Sequence, residues 1–368
     1  MRLIRTDEQR ELAGSVRSFL ADTAPMARVR EVAESDEAFD RTVWDRMAGE
    51  LGLAGLAVPE AYGGAGAGHG EVAVVMEELG AALTPSPYLA SAVLAANVLL
   101  RAGDEGAAKD LLPGVASGAT LATFAVPVQG DALPAASPAA GAASGGGHEL
   151  RGTAARVLNG AEADLILVPA DLPDGSRAVF AVDGSAAGVT RTPLATLDLT
   201  RPQARIGFAG TPARRITDSP EAVSAALDLS AVALAAGQLG VLRRCLDVIV
   251  EYAKLRVQFG RFVGSFQGVK HRLAEMHCVL EQAESVVRYA AWAADESPGE
   301  LPVAAALAGS YLGRAAFGVA KDSLLLHGGI GFTWEHDAHL YYKRAKGDEL
   351  LLGPPRAHRA RLAERLGI

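Results

Sequence analysis

The chain has 368 residues, enough for two or three structural units, and 49% of them are hydrophobic, enough for a sizeable core. Charged residues make up 21% without a block of five like charges, which argues against global disorder; the net charge of −8 argues against a nucleic-acid-coating role but leaves small anionic ligands open. The 41 glycines and 18 prolines follow no period, which excludes collagen-like and repeat architectures, and only two cysteines, Cys245 and Cys278, exclude a disulfide scaffold.

The opening MRLIRTDEQRELAG turns charged after four residues and has no signal-type apolar core. No run of 18 apolar residues occurs, so the expectation is a cytoplasmic protein without a membrane span. Thr6 reads as an N-cap, with Gln9 three residues on and Leu12, Val16, Phe19 and Leu20 at helical spacing behind it. A second helix is expected over Thr42–Leu51, stopped by Gly52. Val58–Gly66 is rich in turn residues. Gly63–Gly70 matches no GxGxxG pattern and follows no βαβ unit, so it reads as a loop and not a phosphate cradle. Helices fit Glu71–Ala82, Pro87–Ala102 and Gly106–Ala116, giving a helical domain over residues 1–118.

From 119 to 215 the character changes. β-branched and aromatic residues gather in Leu121–Val128, Glu149–Leu158, Asp164–Pro169, Ala178–Val182 and Ala204–Ala209, with turn residues between, as in a β unit. Ala132–Gly147, a Gly/Ala/Ser/Pro tract without period, reads as a surface loop. Over 216–368 the helices return and lengthen. Phe266, Val269, Leu273, Met276, Leu280, Ala283 and Val287 form one apolar stripe, as a helical bundle needs. Helices, then strands, then helices predict an α+β multidomain fold.

No Walker A loop, HExxH or GxSxG motif is present. His336, Asp337 and His339 are crowded, but their spacing suits a solvated helix face better than a metal site. Cys245 and Cys278 read as packed helical thiols. The informative stretch runs from Tyr252 to Met276. Arg256 ends one helix, Gly260 breaks it, and Phe266-Gln267 opens the next, whose free N–H groups could face an anion. An arginine beside a helix N-terminus suits a pyrophosphate. A simple capped helix hairpin is the plain alternative.

RVQFGRFVGSFQGVKHRLAEM resembles the RxQFGxxxxxFQxxxxxLAxM signature of the acyl-CoA dehydrogenase family. Other segments agree in order: Trp44…Leu51-Gly52-Leu53…Val58-Pro59-Glu60…Tyr62-Gly63-Gly64, then Glu149-Leu150-Arg151-Gly152…Ala163-Asp164, Leu197-Asp198-Leu199-Thr200-Arg201, and His327-Gly328-Gly329 through Asp337. The resemblance covers essentially the whole chain. It implies an N-terminal helical domain (1–118), a middle β-barrel-like domain (119–215) and a C-terminal four-helix bundle (216–368), in an oligomer, either dimer or tetramer. It also implies FAD, an acyl-CoA substrate, and α,β-desaturation in which a carboxylate takes the α-proton while the β-hydrogen leaves as hydride to the flavin.

By the same resemblance, both usual positions for the base lack a carboxylate: one falls on Leu352, the other on Ser230 within Leu227-Asp228-Leu229-Ser230-Ala231. No catalytic residue is assigned. The positions that pack on and hydrogen-bond the flavin ring fall on Arg156 and Leu158, and the substrate-side Thr-Glu-Pro run is Ala125-Val126-Pro127. Residues that reach the adenine–pyrophosphate half of a neighbour's FAD persist: Arg256, Gln258, Phe259, Gln267, Gly328 and Gly329; Leu325 replaces one glutamine. The resulting expectation is a base-lacking subunit of an α2β2 heterotetramer, resembling actinobacterial steroid side-chain β-oxidation enzymes. It would share FAD across the interface with a related subunit carrying the catalytic Glu, with no nucleic-acid or membrane partner. Two alternatives stay open. One is a self-sufficient homo-oligomer using Asp228, Asp348 or Glu349 as base, although the last two read as solvated charges. The other is a flavin or assembly protein of the same fold.

Overall fold

The computed structural model describes residues 3–126, 138–142 and 147–368. The first helices are α1 (Asp7–Thr23), α2 (Met26–Ala33), α3 (Arg41–Gly49) and α4 (His69–Ala82). Leu89–Ala95 is wound as a π-helix and runs into α5 (Ala96–Arg101), followed by α6 (Glu105–Ala116). Seven strands follow: β1 (Ala122–Phe124), β2 (Ala139–Ala142), β3 (His148–Leu158), β4 (Leu165–Asp171), β5 (Arg177–Asp183), β6 (Val189–Pro193) and β7 (Gln203–Thr217). Then come α7 (Pro220–Leu255), the short hairpin β8 (Val257–Gln258) and β9 (Arg261–Phe262), α8 (Gln267–Glu296), α9 (Leu301–Leu326), α10 (Ala338–Leu351) and α11 (Pro355–Leu366). Helices, then a sheet, then helices give the expected α+β order, with an N-terminal helical, a middle barrel-like and a C-terminal helical domain.

The chain divides into two compact units, one of Met1–Val29, Ala73–Thr84 and Ala231–Ile368, the other of Arg30–Val72 and Pro85–Ser230. In the first, Thr6 and Gln9 cap α1 reciprocally, as their spacing predicts. Gly80 and Gly240 let backbones meet: a Cβ on Gly240 would lie 1.9 Å from the Glu77 carbonyl oxygen, and one on Gly80 2.0 Å from that of Gly237. The Glu77 carboxylate is buried yet accepts from Arg5 at 2.7 Å, Arg288 at 3.0 Å and Arg243 at 3.3 Å, which offsets its desolvation. α9 packs against α8, α10 and α11. The apolar stripe of α8 is buried from Met276 onward, while Val269 and Leu273 stay half-exposed and Cys278 is exposed, not packed as expected. Among the described residues two helices, α7 and α9, are long and apolar enough to cross a membrane by length and composition alone, although neither holds an unbroken run of 18 apolar residues; 89% of the apolar window of α7 and 50% of that of α9 are buried within the protein, as in core helices.

In the second unit the sheet closes on itself. β4 pairs with β5, β5 with β7, β7 with β3, β3 with β2, and β2 touches β4 at Ala139 and Asp171; β1 and β6 flank this ring. Alternate residues Ile166, Val168 and Ala170 of β4, Ala178, Phe180 and Val182 of β5, and Ile206 and Phe208 of β7 fill its core, as the two-residue period of strands demands. β2 lies inside the tract read as a loop. It forms because its backbone pairs with β3, from Ala139 opposite Arg151 to Ala142 opposite His148, although its small side chains carry no strand signal. The remainder of that tract, apart from Pro138 and Gly147, lies outside the described residues, as do Pro127 and Val128.

Candidate functional site

In the first unit α7 ends at Leu255 and the chain reverses through β8 and β9, with Gln258 opposite Arg261. The two turn residues, Phe259 and Gly260, both have left-handed backbones (φ 52° and 75°), as a type I′ hairpin requires. Glycine adopts this freely; for phenylalanine it costs about 1–2 kcal/mol. The ring of Phe259 is also 90% exposed, so neither its backbone nor its burial favours folding. Its edge meets Phe266, with ring centroids 6.2 Å apart, and the Arg261 guanidinium lies 4.0 Å over the other ring. Phe266 precedes α8, and no side chain caps that helix, so its first-turn amides remain available beside Gln267. Arg256, Gln258 and Gln267 are exposed and have no side-chain hydrogen bond or ion pair among the described residues. The hairpin is an arm of unused donors.

The glycine turn follows α9 in the same unit. Gly328 is left-handed (φ 69°), and a Cβ on Gly328 or Gly329 would meet nothing within 4 Å, which leaves room for a closely approaching partner. Around it Leu325, Ile330, Phe332 and Trp334 are exposed. Arg256 and Gly328 lie on separate elements, bridged by residues to which sequence reasoning gave no role. Tyr252, one turn before Arg256, donates its hydroxyl to the His327 carbonyl at 3.2 Å. Its ring lies 4.7 Å from the His327 ring, whose other neighbour is His336 at 4.3 Å. Burial holds the His327 imidazole below the usual histidine range, with the His336 ring adding to that and the hydrogen bond to Ser323 opposing it. The expected solvated face at His336, Asp337 and His339 is not seen: His339 is buried, with Trp334 edge-on at 4.9 Å. No group of three metal-ligating side chains occurs among the described residues.

The positions of the usual base are chemically inert. Ser230 is fully buried, and its hydroxyl donates to the Ala226 carbonyl of its own helix at 2.7 Å. Leu352 follows α10 as an aliphatic side chain. Asp228 is buried. Asp348, expected in solvent, is also buried, because it faces the interior of the unit where Gln238 donates to its main-chain carbonyl at 2.9 Å. Glu349 is only half-buried and is paired with Lys346 at 2.6 Å.

On β3 of the second unit, the ladder to β7 slips between Ala154 and Val157, and Arg156 sits in that bulge with φ 55°. Arg156 points outward and is exposed; Leu158 is buried, and its carbonyl accepts from Thr123 at 2.6 Å. An exposed guanidinium and a buried aliphatic group cannot supply an aromatic cover and a hydroxyl donor to an isoalloxazine. The arm, with an exposed guanidinium beside an uncapped helix N-terminus, has the donors an anionic group needs, and the bulged strand has no aromatic cover or hydroxyl donor for a flavin ring.

Residues 6–119 match the acyl-CoA dehydrogenase N-terminal domain and residues 221–367 the acyl-CoA dehydrogenase C-terminal domain. The chain belongs to the acyl-CoA dehydrogenase family, whose members are FAD-dependent oxidoreductases. It is 36% identical over 355 residues to acyl-CoA dehydrogenase IpdE2 of Mycobacterium tuberculosis, covering 95% of this chain and 94% of the relative. A chain of the ChsE4-ChsE5 complex from Mycobacterium tuberculosis superposes with a TM-score of 0.91 at 32% identity, over 100% of this chain and 99% of that one. A variant of the Tcur3481-Tcur3483 steroid ACAD superposes with a TM-score of 0.86 at 33% identity, over 98% of each chain.

Proposed function

We propose that this chain is the base-lacking subunit of a heteromeric acyl-CoA dehydrogenase acting on a bulky, steroid-derived acyl-CoA, and that it works in the cytoplasm. One observation carries the reading: both base positions are neutral, Ser230 and Leu352, while Arg256, Gln258 and Gln267 have no side-chain partner among the described residues and stand exposed beside Phe259 and the Gly328-Gly329 turn. A chain that had simply decayed would not be expected to keep an exposed, strained phenylalanine. The relatives that form a named complex or act as a steroid ACAD support the partner and the substrate class. The domain limits of 118/119 and 215/216 are part of the same proposal.

When bound, FAD supplies the acceptor for the hydride. This chain's part is to hold it from outside: Arg256 and the α8 amides neutralise the pyrophosphate, Gln258 and Gln267 hydrogen-bond the adenosine end, Phe259 covers it from water, and the glycine turn admits it closely. The α-proton is taken by a carboxylate of the partner subunit. Purified alone, the chain is expected not to desaturate acyl-CoA; mixed with a base-carrying relative it is expected to raise that relative's turnover. Turnover by the isolated chain at a rate equal to the mixture would refute the proposal.

A further inference from the structure

The two exposed segments of the first unit come from α7 and α9, and a ligand that touches both needs them in fixed register. Tyr252 joins them directly, at the foot of each segment. Its main-chain carbonyl accepts from the Arg256 amide at 2.8 Å, so the tyrosine and the arginine share one helical turn. The Arg256 carbonyl in turn accepts from Val263 at 2.8 Å, which closes the base of the hairpin. On its other side, the Tyr252 hydroxyl reaches the carbonyl of His327, the residue directly before Gly328. His327 itself cannot shift freely. Its Nδ1 lies 2.7 Å from the Ser323 carbonyl oxygen, and the Ser323 hydroxyl donates to the Cys245 carbonyl of α7 at 3.0 Å. The peptide after His327 opens the glycine turn, so its orientation follows that carbonyl. Nδ1 donates to the Ser323 carbonyl, leaving Nε2 as a lone-pair nitrogen, buried without a hydrogen-bond partner among the described residues.

We propose that Tyr252 is a positioning residue: through the His327 carbonyl it locks the arm that starts at Arg256 and the Gly328-Gly329 turn into one preformed edge for the flavin nucleotide. The inference rests on the proposed role of the arm. Tyr252 is half-buried, and its hydroxyl bond joins the bases of the two exposed segments.

The test uses the flavin-stripped complex and three forms of this chain: wild type, Tyr252→Phe and Arg256→Ala. FAD affinity is read by fluorescence titration, unfolding temperature by calorimetry, and amide exchange at 257–262 and 328–331 by mass spectrometry. Tyr252→Phe keeps the ring and removes one hydrogen bond, so it is expected to weaken FAD binding about five- to tenfold. Exchange is expected to quicken by a similar factor in both segments and not elsewhere, with the unfolding temperature and the turnover at saturating FAD unchanged. Unchanged affinity in Tyr252→Phe, beside weakened affinity in Arg256→Ala, overturns the positioning role alone. Unchanged affinity in both overturns the arm as well. An affinity loss matched by a general fall in unfolding temperature makes Tyr252 a structural staple and also overturns the proposal.

Discussion

In the hairpin after α7, the side chains of Arg256 and Gln258 are exposed with no partner among the described residues, and Phe259 holds a left-handed backbone under an exposed ring. On β3 of the other unit, Arg156 also holds a left-handed backbone in a bulge, but the neighbouring Leu158 is turned into the core and its carbonyl is satisfied by Thr123. Both places carry strain. Only the hairpin leaves hydrogen-bonding capacity unused, and capacity left unused on an exposed surface is what an outside ligand requires. The strand has settled into serving its own fold. The contrast separates what this subunit gives from what it would have to receive.

Acid should separate the two units with the largest effect. His358, in the first unit, is buried and pushed down to about 4 by desolvation, with Arg361 nearby adding to it. Its folded value lies below its unfolded one, so the unfolded chain binds the proton first. The stability this buried neutral ring preserves is fully present above about pH 6.5 and is lost as pH falls toward 4, by up to about 3 kcal/mol. His358→Gln should flatten that slope. Hydrogen exchange at pH 5 is expected to quicken in α9–α11 before it does in β3–β7, and the reverse order would break the comparison.

Arg256→Ala comes next. Losing a charge-assisted contact should weaken FAD binding to the complex about 10- to 100-fold, whereas Arg156→Ala should change it less than twofold. Equal losses in the two titrations would return the β strand to the flavin site. Phe259→Asn should sharpen the picture at smaller scale. Asparagine tolerates the left-handed turn, so thermal stability should hold or rise by about 0.5–1 kcal/mol while FAD affinity falls about threefold to tenfold. Ser230→Ala should do least: removing a hydroxyl that only bonds its own helix leaves turnover of the complex unchanged, as steady-state rates would show.

Much of the framework was legible in the residues. The Thr6–Gln9 capping box, the periodic helices, and the helix break at Arg256–Gly260 are local patterns with local causes. Features that depend on long-range pairing were not legible. β2 is built of alanine and glycine, and β6, Val189–Pro193, is an edge strand with exposed residues; both are strands only because β3 and β7 lie beside them. Asp348 and His339 look like surface residues from their neighbours, but helix packing placed them inside. The arm itself was marked by its motif. The strain on Phe259 was not, since no rule of spacing puts a phenylalanine in a left-handed turn, and the Tyr252–His327 bridge joins residues 75 positions apart.

The most direct measurement of the central claim is the flavin content of the purified complex formed with a base-carrying relative, from visible absorbance, combined with mass by light scattering. Each FAD would take an arm from this chain and a ring pocket from its partner. The account therefore predicts a colourless chain alone and one FAD per pair of unlike chains in the complex. One FAD per chain, or a yellow homo-oligomer bleached by acyl-CoA, would contradict it.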